Sequence, residues 1–216
     1  MSCRTADRLR LFSFVPAPED TPTVSGHSTT CEQRLRRDHD AYLARDFVET
    51  REGLLLAVVA NGLEDERVVG CLRYVRCGAS LEKLGTADAN QLLQTRYPDY
   101  VHHSRHRDIV VHGVPQARIT RHFLPSTRFA EILAAEAPDP LERKVIRLAN
   151  IIRPQSDDAV CLGISGSLLV GAQCEESDID LVCYGRAGFE VARRTPKTHG
   201  VKAALEAYRL HGNNNV

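Results

Sequence analysis

The chain has 216 residues, with 28 Lys and Arg against 28 Asp and Glu, and 43% of its residues are hydrophobic. That share allows a packed core in one large domain or two small ones, and zero net charge gives no whole-protein field to draw a nucleic acid. No apolar run approaches the roughly 20 residues that cross a bilayer as a helix, so no membrane partner is expected.

Near the N-terminus, Arg4, Arg8 and Arg10 precede the apolar residues 11–15. That run falls short of the roughly 7–15 residues of a signal-peptide core, and the expected location is the cytoplasm. Residues 1–40 read as a disordered tail, because Pro16, Pro18, Pro22 and Gly26 interrupt every candidate element. Seven cysteines are irregularly spaced, with no Cys-x-x-Cys pair. Reduced thiols are expected rather than a zinc site, with Cys71 and Cys77 read as strand or turn residues.

Residues 41–137 read as a β-rich module. Residues 46–50 alternate apolar and polar, residues 51–53 make a turn, and residues 54–60 form the continuous apolar run of a buried strand. Strands are also expected at 67–75 and 108–112, the second ending in a turn at 113–115. A short helix is expected at 88–95 and another at 123–137. His102, His103, His106 and His112 lie here without regular ligand spacing, and surface histidines are the better reading.

Pro138 closes the module, and residues 138–216 read as a second domain. Asp139 is a natural N-cap, Pro140 suits the first helical position, and Glu142 completes a capping box. Leu141, Val145, Leu148 and Ile152 fall on one helical face. An apolar strand is expected at 159–164, one or two helical turns at 167–172, and a second strand at 178–184. Two helices separated by Pro196 are expected to follow, with Arg193, Arg194, Lys197 and Lys202 on a solvated face.

The chemistry-bearing segment is Gly166-Ser167, a spacer, then Asp178-Ile179-Asp180. Carboxylates two apart on a strand share a face, while Ile179 and Leu181 point into a core. Paired carboxylates repel unless a cation lies between them, and hard oxygen ligands suit Mg²⁺ or Mn²⁺. A Gly-Ser turn leaves backbone N–H groups and the Ser167 hydroxyl free to hold phosphate oxygens, and Gly166 lets the ligand approach.

This pattern resembles the DNA polymerase beta-like nucleotidyltransferase superfamily, whose signature is Gly-Ser, about ten residues, then Asp-hydrophobic-Asp. Residues 177–181 are similar to its minimal nucleotidyltransferases. Residues 45–50 with Gly53-Leu54, and residues 139–142, are similar to uncharacterised archaeal proteins carrying this domain. The resemblance implies an α+β chain in which the β-rich module precedes a small nucleotidyltransferase domain with a mixed sheet. It implies Asp178 and Asp180 as catalytic metal ligands, Gly166, Ser167 and Gly171 as nucleotide-binding residues, and Mg²⁺ (or Mn²⁺) as cofactor. The activity implied is transfer of a nucleoside monophosphate from an NTP, ATP in the first place, to a hydroxyl of RNA, a protein or a small molecule.

Two departures accompany the match. Active members carry a third carboxylate on a later strand, whereas Glu190 and Glu206 are the acids after Asp180 and both sit in expected helices. The catalytic sheet is thus expected to be incomplete. Val170 also stands before Gly171, where many minimal members have Arg. The alternative is a catalytically inactive regulatory or antitoxin-like protein of the same fold, acting through a protein partner. A nucleic-acid-binding role for the β-rich half ranks last, because no basic stripe interleaves with aromatics.

Overall fold

The computed structural model describes residues 9–15, 42–152, 161–174 and 176–184. In chain order the elements are β1 (Leu9–Val15), β2 (Phe47–Thr50), β3 (Leu54–Val58), β4 (Arg67–Cys77), β5 (Ser80–Lys83) and α1 (Thr86–Arg96). Then come β6 (Val101–Ser104), β7 (Ile109–Pro115), β8 (Ile119–Phe123), α2 (Pro125–Ala134) and α3 (Pro140–Ile152). β9 (Cys161–Ser165), α4 (Gly166–Val170) and β10 (Ile179–Tyr184) complete the described chain. The protein is of the α+β class. No described helix is long and apolar enough to cross a membrane.

The described residues form two compact units, and the chain passes from one to the other between Leu124 and Pro125. The first unit is a seven-stranded antiparallel sheet ordered β6-β7-β4-β3-β2-β8, with β5 paired to β4. β3 is central, and its Leu54, Leu55 and Leu56 are all buried, which is why its sequence is continuously apolar rather than alternating. Val48, Leu56, Val68 and Leu72 of the sheet share a core with Ala89 and Leu93 of α1, a pair four residues apart. Buried carboxylates in this unit are matched. Glu49 is gripped by both Arg76 Nε and Nη2, and Glu64 accepts bonds from the Ser104 hydroxyl, the Arg105 N–H and Arg107 Nη1.

The second unit has a three-stranded mixed sheet, β1-β10-β9, in which β1 runs parallel to β10 and β10 antiparallel to β9. Its core joins Phe129 and Ile132 of α2, Leu141, Val145, Leu148 and Ile152 of α3, and Leu162, Ile164, Ile179 and Leu181 of the sheet. The four α3 residues are the face read from the sequence. A Cβ at Gly163 would lie 2.7 Å from Pro125 Cβ, so the missing side chain lets the start of α2 press onto β9. At the start of α3, Asp139 Oδ1 accepts the Glu142 N–H (2.7 Å) and Glu142 Oε2 accepts the Asp139 N–H (3.0 Å). This is the reciprocal capping box foreseen.

Several expectations need correction. The segment read as a tail contains β1, whose pairing partner lies far along the chain, and the rest of 1–40 lies outside the described residues. The boundary falls at 124/125 rather than 137/138, because α2 packs in the core of β9 and β10. Residues 113–115 extend β7 instead of turning, since Gly113, Val114 and Pro115 pair with β4. β5, β6 and β8 were not foreseen. The two helices expected on either side of Pro196 lie outside the described residues.

Burial alone would raise the Asp139 pKa. Hydrogen bonds from Gln173 and from the N–H groups of Glu142 and Leu141, with the charge of Arg128, outweigh it and hold the carboxyl below its ordinary value. Stability from a depressed carboxylate is present above the unfolded pKa of about 4 and is lost as pH falls through the folded value. Asp139→Ala should therefore lower unfolding stability by about 1–2 kcal/mol at pH 7. In urea titrations the deficit should be smaller at pH 3, and a deficit constant with pH would contradict the capping role.

Candidate active site

The two halves of the signature meet where β9 ends. Ser165 closes β9 and stands opposite Asp180 in the antiparallel register with β10. Ile179 and Leu181 are buried in the core, while Asp178 and Asp180 are half-buried. The alternation is the one expected, with Asp178 just ahead of the strand rather than inside it. A turn delivers it there. The Cys174 N–H donates to Ser177 Oγ (2.9 Å), and the Ser177 N–H donates to the Cys174 carbonyl (3.0 Å). A serine side chain that accepts a local backbone bond competes with regular structure and so favours a turn.

Gly166 follows Ser165 with φ +67°, and a Cβ there would overlap the Asp180 carboxylate. Two independent constraints thus require glycine: a left-handed backbone and a carboxylate in contact with its Cα. Ser167 lies within α4, whose N-cap position belongs to Ser165. The structure places Gly171 at the other end of α4, with φ +72°, where its N–H returns to the Ser167 carbonyl. That is the geometry of a helix stop.

Residues that the sequence reading did not single out hold this turn from behind. Arg128 Nε of α2 donates to the Leu168 carbonyl (3.0 Å), and Arg128 Nη2 donates to Glu142 Oε1 (2.6 Å). Gln173 Nε2 donates to Asp139 Oδ2 (3.0 Å). Asp139 was legible as a cap, but its bond to Gln173 joins residues 34 positions apart, and no local pattern announces it.

Asp178 and Asp180 are half-buried residues that carry hard oxygen donors beside a turn. This donor set fits a divalent ion that keeps several waters and takes phosphate oxygens as further ligands. Among the described residues no group of three or more His, Cys, Asp and Glu is placed to hold a metal. Glu190 and Glu206 lie outside the described residues. Among the described residues the histidines form no metal-holding group. His112 Nδ1 accepts the Leu72 N–H, its Nε2 meets Asn90, and burial holds its pKa below the ordinary value. His103 faces Asp108 at 3.4 Å.

Cys71, Cys77 and Cys183 are free thiols, and burial pushes the Cys183 thiol up to about 12, which makes it inert. Cys161 is disulfide-bonded, so the expectation of reduced thiols fails there.

With this geometry in view, the chain is similar to MJ1086, an uncharacterised protein of Methanocaldococcus jannaschii. The two are 29% identical over 171 residues, covering 71% of this chain and 50% of that protein. The chain therefore spans about half the length of the curated relative it matches. No family model matches the chain, and no solved structure matches it.

The contact between Gly166 and Asp180 makes the two positions energetically coupled. Gly166→Ala should cost about 1–2 kcal/mol for the left-handed backbone, plus about 0.5–1.5 kcal/mol for swinging the carboxylate aside. In an Asp180→Ala background the second part should vanish. A double-mutant cycle by urea denaturation measures this, and strictly additive costs would contradict the contact.

Proposed function

We propose that the chain is a Mg²⁺-dependent nucleotidyltransferase of the DNA polymerase beta-like superfamily. It moves a nucleoside monophosphate from an NTP, ATP in the first place, to an acceptor hydroxyl on RNA, a protein or a small molecule. We place this activity in the cytoplasm. The observation that carries the reading is the juxtaposition of Gly166 with Asp180, which brings Gly166-Ser167 and the aspartate pair together where β9 ends.

The division of labour follows from the residues. Asp178 and Asp180 would hold the ion. The Gly166-Ser167 turn would hold phosphate oxygens through backbone N–H groups and the Ser167 hydroxyl. Gly166 carries no side chain to bar the phosphate. Gly171 would act at the far end of α4. The ion, when bound, supplies positive charge at the α-phosphate and acidifies the attacking hydroxyl. The acceptor oxygen forms its bond to the α-phosphorus as the bond to the β-phosphate oxygen breaks. Pyrophosphate leaves, and the hydroxyl proton passes to solvent.

A second reading has its own support, because among the described residues no third acid completes a metal-holding group with Asp178 and Asp180. The chain would then bind nucleotide without turnover and act as a regulatory or antitoxin-like protein through a protein partner.

Calorimetric titration with ATP, with and without Mg²⁺, tests the site that both readings share. Mg²⁺-dependent binding is expected in the wild type and should be lost in an Asp178→Ala/Asp180→Ala variant. Failure of the folded wild type to bind any of the four NTPs would end the transferase reading. Binding without pyrophosphate release across RNA, protein and small-molecule acceptors would favour the second.

A further inference from the structure

α4 has five residues, too few to hold its shape alone, since helices shorter than roughly 12–15 residues are marginal in water. Its position must come from contacts around it. Leu168 and Leu169 supply part of this, at 0% and 4% exposure. The described polar contacts at its C-terminal end add to this. The last carbonyls of a helix lack intrahelical partners. Here the Ser167 carbonyl takes the Gly171 and Ala172 N–H groups, and the Leu168 carbonyl takes Arg128 Nε. Arg128 is itself fixed by Glu142 at 2.6 Å and Glu131 at 3.3 Å. Glu142 belongs to the capping box of α3, and Asp139 of the same box holds Gln173, two residues beyond Gly171.

We infer that Arg128 is a positioning residue for the Gly166-Ser167 turn, with Gln173 as a second strap, an inference that rests on reading the signature as a nucleotide site. The pair ties the back of α4 to the first turns of α2 and α3. The fixed fork of the guanidinium engages the Leu168 carbonyl and two carboxylates at once. Lysine, a flexible point charge, reproduces only part of that arrangement.

The test uses the full chain and Mg²⁺ with ATP, and AMP as a probe that lacks the β- and γ-phosphates. Arg128→Gln should weaken Mg·ATP binding about tenfold, well short of the roughly hundredfold that a 1 Å misplacement costs in catalysis. Its effect on AMP should be much smaller. Arg128→Lys should recover part of the loss. Leu148→Ala, a cavity in the same core, should lower the melting temperature while leaving Mg·ATP affinity unchanged well below the melt. If Arg128→Gln does not fold, Gln173→Ala carries the test, with a smaller selective loss expected. Wild-type binding with unchanged affinity in the Arg128 and Gln173 variants would overturn the positioning role and leave the site reading standing. Equal losses in Leu148→Ala and Arg128→Gln would also overturn it, as a general stability effect. A wild type that binds neither nucleotide would overturn the site reading and this inference together.

Discussion

The antiparallel register of β9 and β10 is the constraint on which the candidate site depends. It sets Asp180 opposite Ser165, so the residue after Ser165 must share its space with a carboxylate. Only glycine fits that space with a positive φ. A slip of one residue would turn Asp180 into the core and Ile179 or Leu181 out of it. The burial of Ile179 and Leu181 at 3% and 1% exposure therefore also fixes where the carboxylates point.

The rest of this unit keeps that register and the following turn in place. α3 is anchored by its capping box and by an apolar face that shares a core with Ile164 and Leu181. α2 reaches β9 over Gly163 and sends Arg128 to the end of α4. The same carboxylates that start α3 also hold Arg128 and Gln173. Helix capping and site geometry are thus one polar network. The β-rich unit has its own core and its own matched carboxylates, Glu49 and Glu64.

Much of this was legible in the sequence because it is local. The capping box needs residues three apart, the α3 face needs a helical repeat, and Asp178 to Leu181 need only the alternation of a strand. The Gly-Ser turn and the Asp-x-Asp pair were each readable from their own residues. Their contact depends on a register that spacing alone does not determine. The misreadings came from distance. β1 was taken for tail because its parallel partner, β10, lies at the other end of the described chain. α2 was recognised as helix, but the sheet that its apolar face meets cannot be read from its own residues. The β7 extension through Pro115 went unseen because Gly and Pro signal turns locally, while pairing with β4 overrides them. Arg128 gave no signal, since an arginine in a helix is ordinarily a solvated residue.

The central claim is that the Gly-Ser turn and the aspartate pair form one metal-nucleotide site. Paramagnetic broadening of backbone amide NMR signals by Mn²⁺ in the presence of ATP tests it most directly. The account predicts selective loss of the Ser165, Gly166, Ser167, Ile179 and Asp180 signals. Broadening centred on His102, His103 and His106, with those five amides untouched, would contradict it.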